Sequence, residues 1–169
     1  MNKLSAESYQ KIDAAIAKYP PEHKQSAVMA ALTIAQDERG WLSPETLKEI
    51  ADYLDISPLA VYEVATFYTM YHLKSVGRYT LTVCTNLPCA LQGANRTAEH
   101  LKKILNIDWG ETTQDGMFTL LSGECMGACG EGPVLLRNNK TMCGNMTPQA
   151  VDSLLAELCR SRKGDADVG

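Results

Sequence analysis

The sequence lacks any apolar stretch long enough to cross a membrane. Its longest run of small and apolar residues, 27–35, is interrupted by Thr33, whereas crossing a bilayer takes roughly 20 apolar residues. The N-terminus also lacks the basic-then-apolar pattern of a secretion signal, because Glu7 and Asp13 interrupt it. We therefore expect a soluble protein made in a reducing compartment.

The sequence also lacks an excess of positive charge. Sixteen Lys and Arg residues stand against twenty Asp and Glu, which gives a net charge of −4 and a pI of about 5.4. Such a chain has no general field that attracts phosphate backbones, which argues against nucleic-acid binding. Hydrophobic residues make up 45% and charged residues 21% of the 169 residues, which excludes disorder and collagen-like repeats. One domain, or a small domain with an added helical segment, fits this length.

The first part of the chain, from Leu4 to about Tyr71, has helical spacing throughout. Pro20-Pro21 ends a first amphipathic run, and a second predicted helix extends from about Glu22 to Glu38 and stops at Gly40. Two more helices are predicted to open at serine–proline pairs, where the hydroxyl caps free N–H groups and proline needs no donor. These pairs are Ser43-Pro44 and Ser57-Pro58.

After Gly77 the pattern changes to the order β-α-β-β-β-α. The predicted elements are a strand 78–84, a helix 92–105, a strand 117–121, strands 134–137 and 140–143 around a two-residue Asn138-Asn139 turn, and a helix from Thr147-Pro148. This order predicts an α/β fold, a small sheet with helices on its faces, in a thioredoxin-like arrangement. We expect a helical segment over 1–75, the sheet domain over 76–160 and a disordered tail over 161–169.

Six cysteines require a role apart from disulfides, which a reducing compartment does not maintain. Four of them form two close pairs, Cys84-x4-Cys89 and Cys125-x3-Cys129. Cys84 ends the first predicted strand, and Cys89 lies in the loop that enters the next helix. If the strands before the two pairs are neighbours, both loops leave the sheet at the same end, and four thiolates can converge there.

Four thiolates in two pairs suit an iron–sulfur cluster, since a [2Fe–2S] cluster takes two per iron. Such a cluster carries about two negative charges, so backbone N–H groups must point at the sulfurs. Gly127, Gly130 and Gly132 are expected to let the second loop curl its amides inward, and the positive end of the helix after Cys89 acts in the same direction.

Three alternatives for the cysteines are open from spacing alone: a structural zinc site, a redox dithiol and unrelated buried thiols. Zinc pairs are usually C-x2-C and thioredoxin-type dithiols are C-x-x-C, and neither spacing occurs here. The plant-type ferredoxin spacing is also missing. Cys143 and Cys159 are interpreted as core residues, with Cys143 the spare candidate should one of the four not be a ligand.

The residues around the second pair resemble a known signature. Asp115-x2-Phe118-Thr119, then Cys125-Met126-Gly127-x-Cys129-x2-Gly132-Pro133, is similar to the small thioredoxin-like [2Fe–2S] subunit of bacterial respiratory NADH:quinone oxidoreductase (complex I). Val64–Tyr68, Gly77-Arg78 and the first cysteine pair also resemble that family, so the similarity covers about Ala27 to Leu158. The one departure is Met126 in place of leucine, a near-isosteric change.

The resemblance implies that Cys84, Cys89, Cys125 and Cys129 hold one [2Fe–2S] cluster in a thioredoxin-like domain that follows a helical segment. It implies a larger partner flavoprotein that binds FMN and NADH, with which this chain exchanges one electron. The complex would lie with its peripheral arm on the cytoplasmic side of the bacterial inner membrane, and this chain would contact the membrane only through the complex. Related subunits serve NAD-linked hydrogenases and formate dehydrogenases.

The chain shows no hydride-transfer machinery of its own. It lacks a strand–G-x-G-x-x-G–helix pattern, and its three histidines, His23, His72 and His100, lie outside the cysteine loops and are interpreted as surface or packing residues. A helix-turn-helix with 58–71 as recognition helix is the rival from another class, but that segment carries no Arg or Lys. Its apolar residues occupy more than one helical face, and we expect some of them to serve a partner.

Overall fold

The computed structural model describes residues 3–165, without the side chains of 161–165. It divides into two compact units, Met1–Val76 and Gly77–Gly169. The division falls one residue beyond the boundary that the sequence predicts.

Four α-helices and one 3₁₀ helix build the first unit. They are α1 (Ala6–Ile16), the 3₁₀ helix (Pro21–Ala27), α2 (Val28–Arg39), α3 (Pro44–Leu54) and α4 (Pro58–Phe67). The side chains of Ser43 and Ser57 cap α3 and α4 as predicted, accepting from the N–H groups of Thr46 and Leu59. Gly40 adopts φ +80° at the end of α2.

Two predicted helices of this unit are shorter in the structure. The segment after Pro20-Pro21 winds as a 3₁₀ helix with His23 outside helical geometry, so the second α-helix begins only at Val28. The helix predicted over 58–71 ends at Phe67, because Tyr68 turns to an extended backbone. The core is nevertheless made by the apolar stripes that the spacing indicated. Its fully buried members include Ile12, Leu32, Ile50, Leu54 and Val61.

A four-stranded sheet in the order β2-β1-β3-β4 forms the second unit. The strands are β1 (Tyr79–Cys84), β2 (Phe118–Gly123), β3 (Leu135–Arg137) and β4 (Thr141–Cys143). β1 and β2 are parallel, with Cys84 paired to Gly123, whereas β3 is antiparallel to both β1 and β4. The strand order along the chain is as predicted, and the fold is mixed α/β.

The β3–β4 hairpin turns at Asn138 and Asn139, both with positive φ, as the sequence predicted. The register pairs Arg137 with Thr141, so the connection has three residues and not the predicted two. Lys140 is the extra residue, and its N–H donates to the Arg137 carbonyl at 3.0 Å.

The α-helices of this unit are α5 (Leu87–Leu91), α6 (Ala94–Leu105) and α7 (Pro148–Asp165), and a short 3₁₀ helix, Cys129–Glu131, lies between β2 and β3. The helix predicted over 92–105 corresponds to α6, which begins at Ala94 after Gly93 at φ +103°, whereas α5 occupies a segment predicted as a loop. Both long helices cover one face of the sheet, where the order of elements had suggested more than one face. Leu101 of α6 and Leu155 of α7 pack there with Leu81, Val83, Leu120 and Leu135.

The last helix extends further than the sequence indicates. A disordered tail was expected from Ser161, but the backbone of α7 is helical to Asp165, and the remaining part of that tail lies outside the described residues. No helix in the part of the chain that the structure describes combines the length and apolar character needed to span a membrane.

Candidate metal centre

The parallel pairing of β1 and β2 brings the two cysteine segments to one end of the sheet. Cys84 is the last residue of β1 and lies beside Gly123, the last residue of β2. Cys125 follows Gly123 by two residues. The chain therefore leaves both strands at the same end of the sheet, which is the juxtaposition that the sequence predicted.

Cys84 and Cys89 form a buried pair. Each is 1% exposed, and they pack with Ala94 and Val134. Burial and the neighbouring Cys84 thiol raise the pKa of Cys89, against which the N–H of Val134 acts by donating to the Cys89 sulfur. The Val134 carbonyl in turn accepts from the Cys84 N–H at 3.0 Å. Val134 therefore packs with both residues of the buried pair and is hydrogen-bonded to the backbone of Cys84.

Cys125 and Cys129 form an open pair. Cys125 is exposed and Cys129 half-buried, and their Sγ atoms lie 3.9 Å apart. A hydrogen bond with the Cys125 thiol raises the pKa of Cys129. The loop between them carries Gly127 at φ +76°, a conformation that glycine adopts without strain.

The two pairs lie within electrostatic range of each other. Cys84 contributes to the raised pKa of Cys129, and Cys129 contributes to that of Cys89. Among the described residues, no three His, Cys, Asp or Glu side chains are close enough together to hold a metal ion as they stand. The structure thus contains two neighbouring thiol pairs and not a closed set of four.

Hydrogen bonds join the two segments beside the thiols. The Thr85 N–H donates to the Gly123 carbonyl at 2.9 Å, and the Asn86 amide donates to the Glu124 carboxylate at 2.6 Å. The Gln92 amide donates to two carbonyls, those of Pro88 at 3.1 Å and Cys129 at 2.8 Å. Sequence reasoning missed Gln92 because its acceptors are backbone carbonyls, which no residue type identifies.

The glycines of the second loop differ in purpose from what the sequence suggested. Only Gly127 is left-handed. Gly132 has an ordinary extended backbone, φ −62° and ψ 151°, but a Cβ there would lie 2.6 Å from the Gln92 amide nitrogen. A Cβ on Gly130 would meet nothing within 4 Å. Gly132 therefore leaves space for the side chain of Gln92. At position 130 a Cβ would cause no steric clash, so glycine is not needed there for reasons of space.

The position of Cys89 relative to the neighbouring helices also differs from the prediction. Cys89 lies within α5 and not in a loop, because Asn86 and Pro88 start a short helical turn before it. Ala94, the first residue of α6, packs against the buried pair, so the positive end of that helix lies on this side, as the sequence predicted.

The remaining cysteines and the histidines lie elsewhere in the fold. Cys143 is half-buried in β4 against the hydrophobic core of the sheet unit, and burial raises the pKa of its thiol. Cys159 is exposed on α7, so its interpretation as a core residue is wrong. Of the histidines, His100 pairs with Asp152 at 2.6 Å between α6 and α7, and burial lowers the pKa of His72 in the helical unit.

Four thiols in two neighbouring pairs fit a [2Fe–2S] cluster, which takes two thiolates on each iron. The backbone of Val134 lowers the pKa of the Cys89 thiol, against the effect of burial, and thiolate ligands of a negatively charged cluster need such stabilisation. The first pair of thiols is buried and Cys125 of the second is exposed.

Nearly the whole chain is similar to known proteins. Residues 12–159 match the thioredoxin-like [2Fe-2S] ferredoxin family. The chain is 43% identical to an NADH-quinone oxidoreductase subunit of Rhizobium meliloti, over 86% of this chain and 85% of that protein. It is 38% identical to NADH-quinone oxidoreductase subunit 2 of Thermus thermophilus, over 87% and 81% of the two chains.

Among solved structures, NAD⁺-reducing [NiFe]-hydrogenase in its H₂-reduced state has the same fold. The TM-score is 0.67 at 19% identity, over 76% of this chain and 22% of the hydrogenase chain. The fold, the paired thiols and the extent of sequence identity agree. The chain belongs to the thioredoxin-like [2Fe–2S] ferredoxin family, which supports a [2Fe–2S] cluster, and its curated relatives are subunits of NADH-quinone oxidoreductases.

Proposed function

We propose that this chain is the [2Fe–2S] electron-transfer subunit of a respiratory NADH:quinone oxidoreductase, with Cys84, Cys89, Cys125 and Cys129 holding one cluster. The observation that carries the proposal is that β1 and β2 end side by side, which brings the two cysteine segments to one end of the sheet. The relatives at about 40% identity, named as subunits of that enzyme, supply the parent complex.

The bound cluster supplies uptake and release of one electron. The chain's own residues determine its surroundings. Cys84 and Cys89 would hold the cluster from the buried side, where the backbone of Val134 favours negative charge on the Cys89 sulfur. Cys125 is exposed. The Cys125 side is therefore the one that a partner could approach.

The electron donor in this proposal is the FMN of a larger partner flavoprotein, which also binds NADH. This chain contributes no hydride transfer of its own. The helical unit has exposed apolar and aromatic side chains on α4, namely Leu59, Tyr62 and Phe67, which are 63%, 52% and 78% exposed. Exposed aromatic and apolar groups of this kind are typical of interaction surfaces, and we assign them to contact with the rest of the complex.

We place the chain in the peripheral arm of the complex, on the cytoplasmic side of the bacterial inner membrane. Contact with the membrane is then made by other subunits. The absence of a membrane-spanning helix among residues 3–165 is consistent with this position.

Metal content and visible absorption test the proposal. The purified chain should contain about two irons and two acid-labile sulfides. Replacing any one of the four proposed ligands by serine should lower cluster content or change the absorption and electron paramagnetic resonance spectra. Cys143→Ser and Cys159→Ser are the matched controls and should leave both unchanged. A colourless protein with one zinc contradicts the proposal.

The parent complex is tested separately, since the same fold occurs in an NAD⁺-reducing hydrogenase. An affinity-tagged chain expressed in its own cells should co-purify with a flavoprotein and with quinone-reducing activity toward NADH. Co-purification with hydrogen- or formate-oxidising activity would instead assign the same electron-transfer role to an NAD-linked hydrogenase or formate dehydrogenase.

A further inference from the structure

The side chain of Gln92 bridges the two cysteine segments. Its amide nitrogen donates to the carbonyl of Pro88, the residue before Cys89, and to the carbonyl of Cys129. The two distances, 3.1 and 2.8 Å, are those of ordinary hydrogen bonds. One amide group therefore ties the segment of the buried pair to the segment of the open pair.

The chain leaves room for this side chain at Gly132. A Cβ at that position would lie 2.6 Å from the Gln92 amide nitrogen and 2.9 Å from its amide carbon. The backbone of Gly132 lies in an extended region that alanine also adopts, so the amide of Gln92 and not the backbone requires glycine here. Two positions 40 residues apart in the numbering thus serve one contact.

We propose that Gln92 is a positioning residue that sets the spacing between the Cys84–Cys89 and Cys125–Cys129 pairs. It acts through the backbone of Cys129 and touches no reacting atom. The inference rests on the proposed function, since it takes the four cysteines as the cluster ligands. Residues that hydrogen-bond to metal ligands and so orient them typically contribute 10- to 100-fold to the affinity for the metal.

Gln92→Glu is the first test, because glutamate keeps the size of the side chain and removes its N–H donors. The variant and the parent protein, both cluster-loaded, are incubated with an iron chelator. We expect iron release about tenfold faster in Gln92→Glu, together with a shifted reduction potential. Gln149→Glu is the matched control, since it introduces the same charge at an exposed position at the start of α7, and it should release iron at the parent rate.

Gly132→Ala is the second test and acts on Gln92 from the other side. The clash is with the end of a flexible side chain, so the protein folds and the amide swings away from its two carbonyls. Iron release should be as fast as in a Gln92→Ala variant, which lacks the side-chain amide altogether. In the double variant Gln92→Ala/Gly132→Ala no amide is left to displace, so the second substitution should add nothing.

Hydrogen exchange in the metal-free protein gives a readout independent of the cluster. Residues 125–132 should exchange faster in Gln92→Glu and in Gly132→Ala than in the parent protein and in Gln149→Glu. Unchanged exchange and unchanged iron release in both variants overturn the proposal, as do additive effects in the double variant. A parent protein that binds no cluster overturns the proposed function instead, and exchange then still decides whether Gln92 holds the two segments together.

Discussion

At the scale of single residues, the glycines differ in how much room each would leave for a Cβ atom. Gly77, just before β1, is the tightest against backbone: a Cβ there would lie 2.9 Å from the amide nitrogen of Phe118 and 3.0 Å from the carbonyl carbon of Met117. The Gly77 N–H also donates to the Thr119 hydroxyl at 2.6 Å. Backbone atoms cannot move aside as the end of a side chain can.

We expect Gly77→Ala to lower the free energy of unfolding by about 1–3 kcal/mol, because the start of β1 must move away from β2. Chemical denaturation followed by circular dichroism measures the change. Gly130→Ala is the control, since its Cβ meets nothing within 4 Å, and it should be within about 0.5 kcal/mol of the parent. Equal stability of the two variants would contradict the packing described at Gly77.

Sequence reasoning proposes the four cysteines as ligands because sulfur chemistry is visible in residue type and spacing. It did not reach Gln92, whose partners are carbonyls, or the difference in burial between Cys89 and Cys125. It also misjudged Cys159, which follows the apolar residues of α7 closely in sequence but points outward. Residue type predicts what a side chain can bind, whereas exposure depends on which face of the helix packs.

At the scale of elements, the β3–β4 hairpin depends on Asn138 for two separate reasons. Its φ is 51°, which asparagine tolerates better than most residues, and its side-chain oxygen accepts from the Thr80 N–H at 2.8 Å. The hairpin is thereby connected to β1, the strand that ends at Cys84.

Two substitutions separate these contributions. Asn138→Gly removes the bond to Thr80 and a longer one that the Asn138 amide donates to the Arg78 carbonyl, but keeps the backbone unstrained, and we expect a loss of about 1 kcal/mol. Asn138→Ala adds strain at positive φ, and we expect a further loss of about 1 kcal/mol. Thermal unfolding measured on both variants checks the order. Alanine at least as stable as glycine would contradict the left-handed backbone at this turn.

The elements themselves were largely predictable, and their ends were not. Serine–proline pairs located the starts of α3 and α4 because capping is a local effect. The 3₁₀ geometry after Pro20 and the break at Gly93 depend on how each short segment joins the next helix. Local propensity does not determine such joints, so the segment that forms α5 was predicted as a loop and the helix after it was predicted to begin at Gln92.

At the scale of the whole molecule, the carboxyl groups of the described residues whose pKa is lowered in the folded state lie mostly in the helical unit. Burial would raise the pKa of Glu49, but hydrogen bonds from Tyr9 and the Leu4 N–H and the ion pair with Arg39 lower it overall. The Ser8 hydroxyl lowers the pKa of Glu38 in the same unit. In the sheet unit, the Lys102 ammonium lowers the pKa of Asp108.

Acid should therefore destabilise the helical unit first. A carboxyl with a lowered pKa in the folded state stabilises above its ordinary value of 4.5 for glutamate, and this stability is lost as the pH falls through the lowered pKa. Each unit has one tryptophan, Trp41 in the helical unit and Trp109 in the sheet unit. In single-tryptophan variants, the Trp41 fluorescence transition should begin at a higher pH than that of Trp109.

Glu49→Gln tests the cause of this difference. The neutral side chain cannot lose a charge on acidification, so the Trp41 transition should depend less steeply on pH. Stability at pH 7 should fall by about 1–3 kcal/mol, because Arg39 loses its charged partner. Asp108→Asn should leave the Trp41 transition where it is. A steeper transition in Glu49→Gln would show that this carboxyl is not the controlling group.

The position of Val134 has a consequence for when the cofactor can be inserted. This residue accepts from the Cys84 N–H and packs with both Cys84 and Cys89, yet it follows the last of the four proposed ligands by five positions. A nascent chain that has left the ribosome only as far as residue 130 carries all four thiols but lacks this contact. We therefore expect translation products that stop before Val134 to bind iron without retaining it as the full chain does.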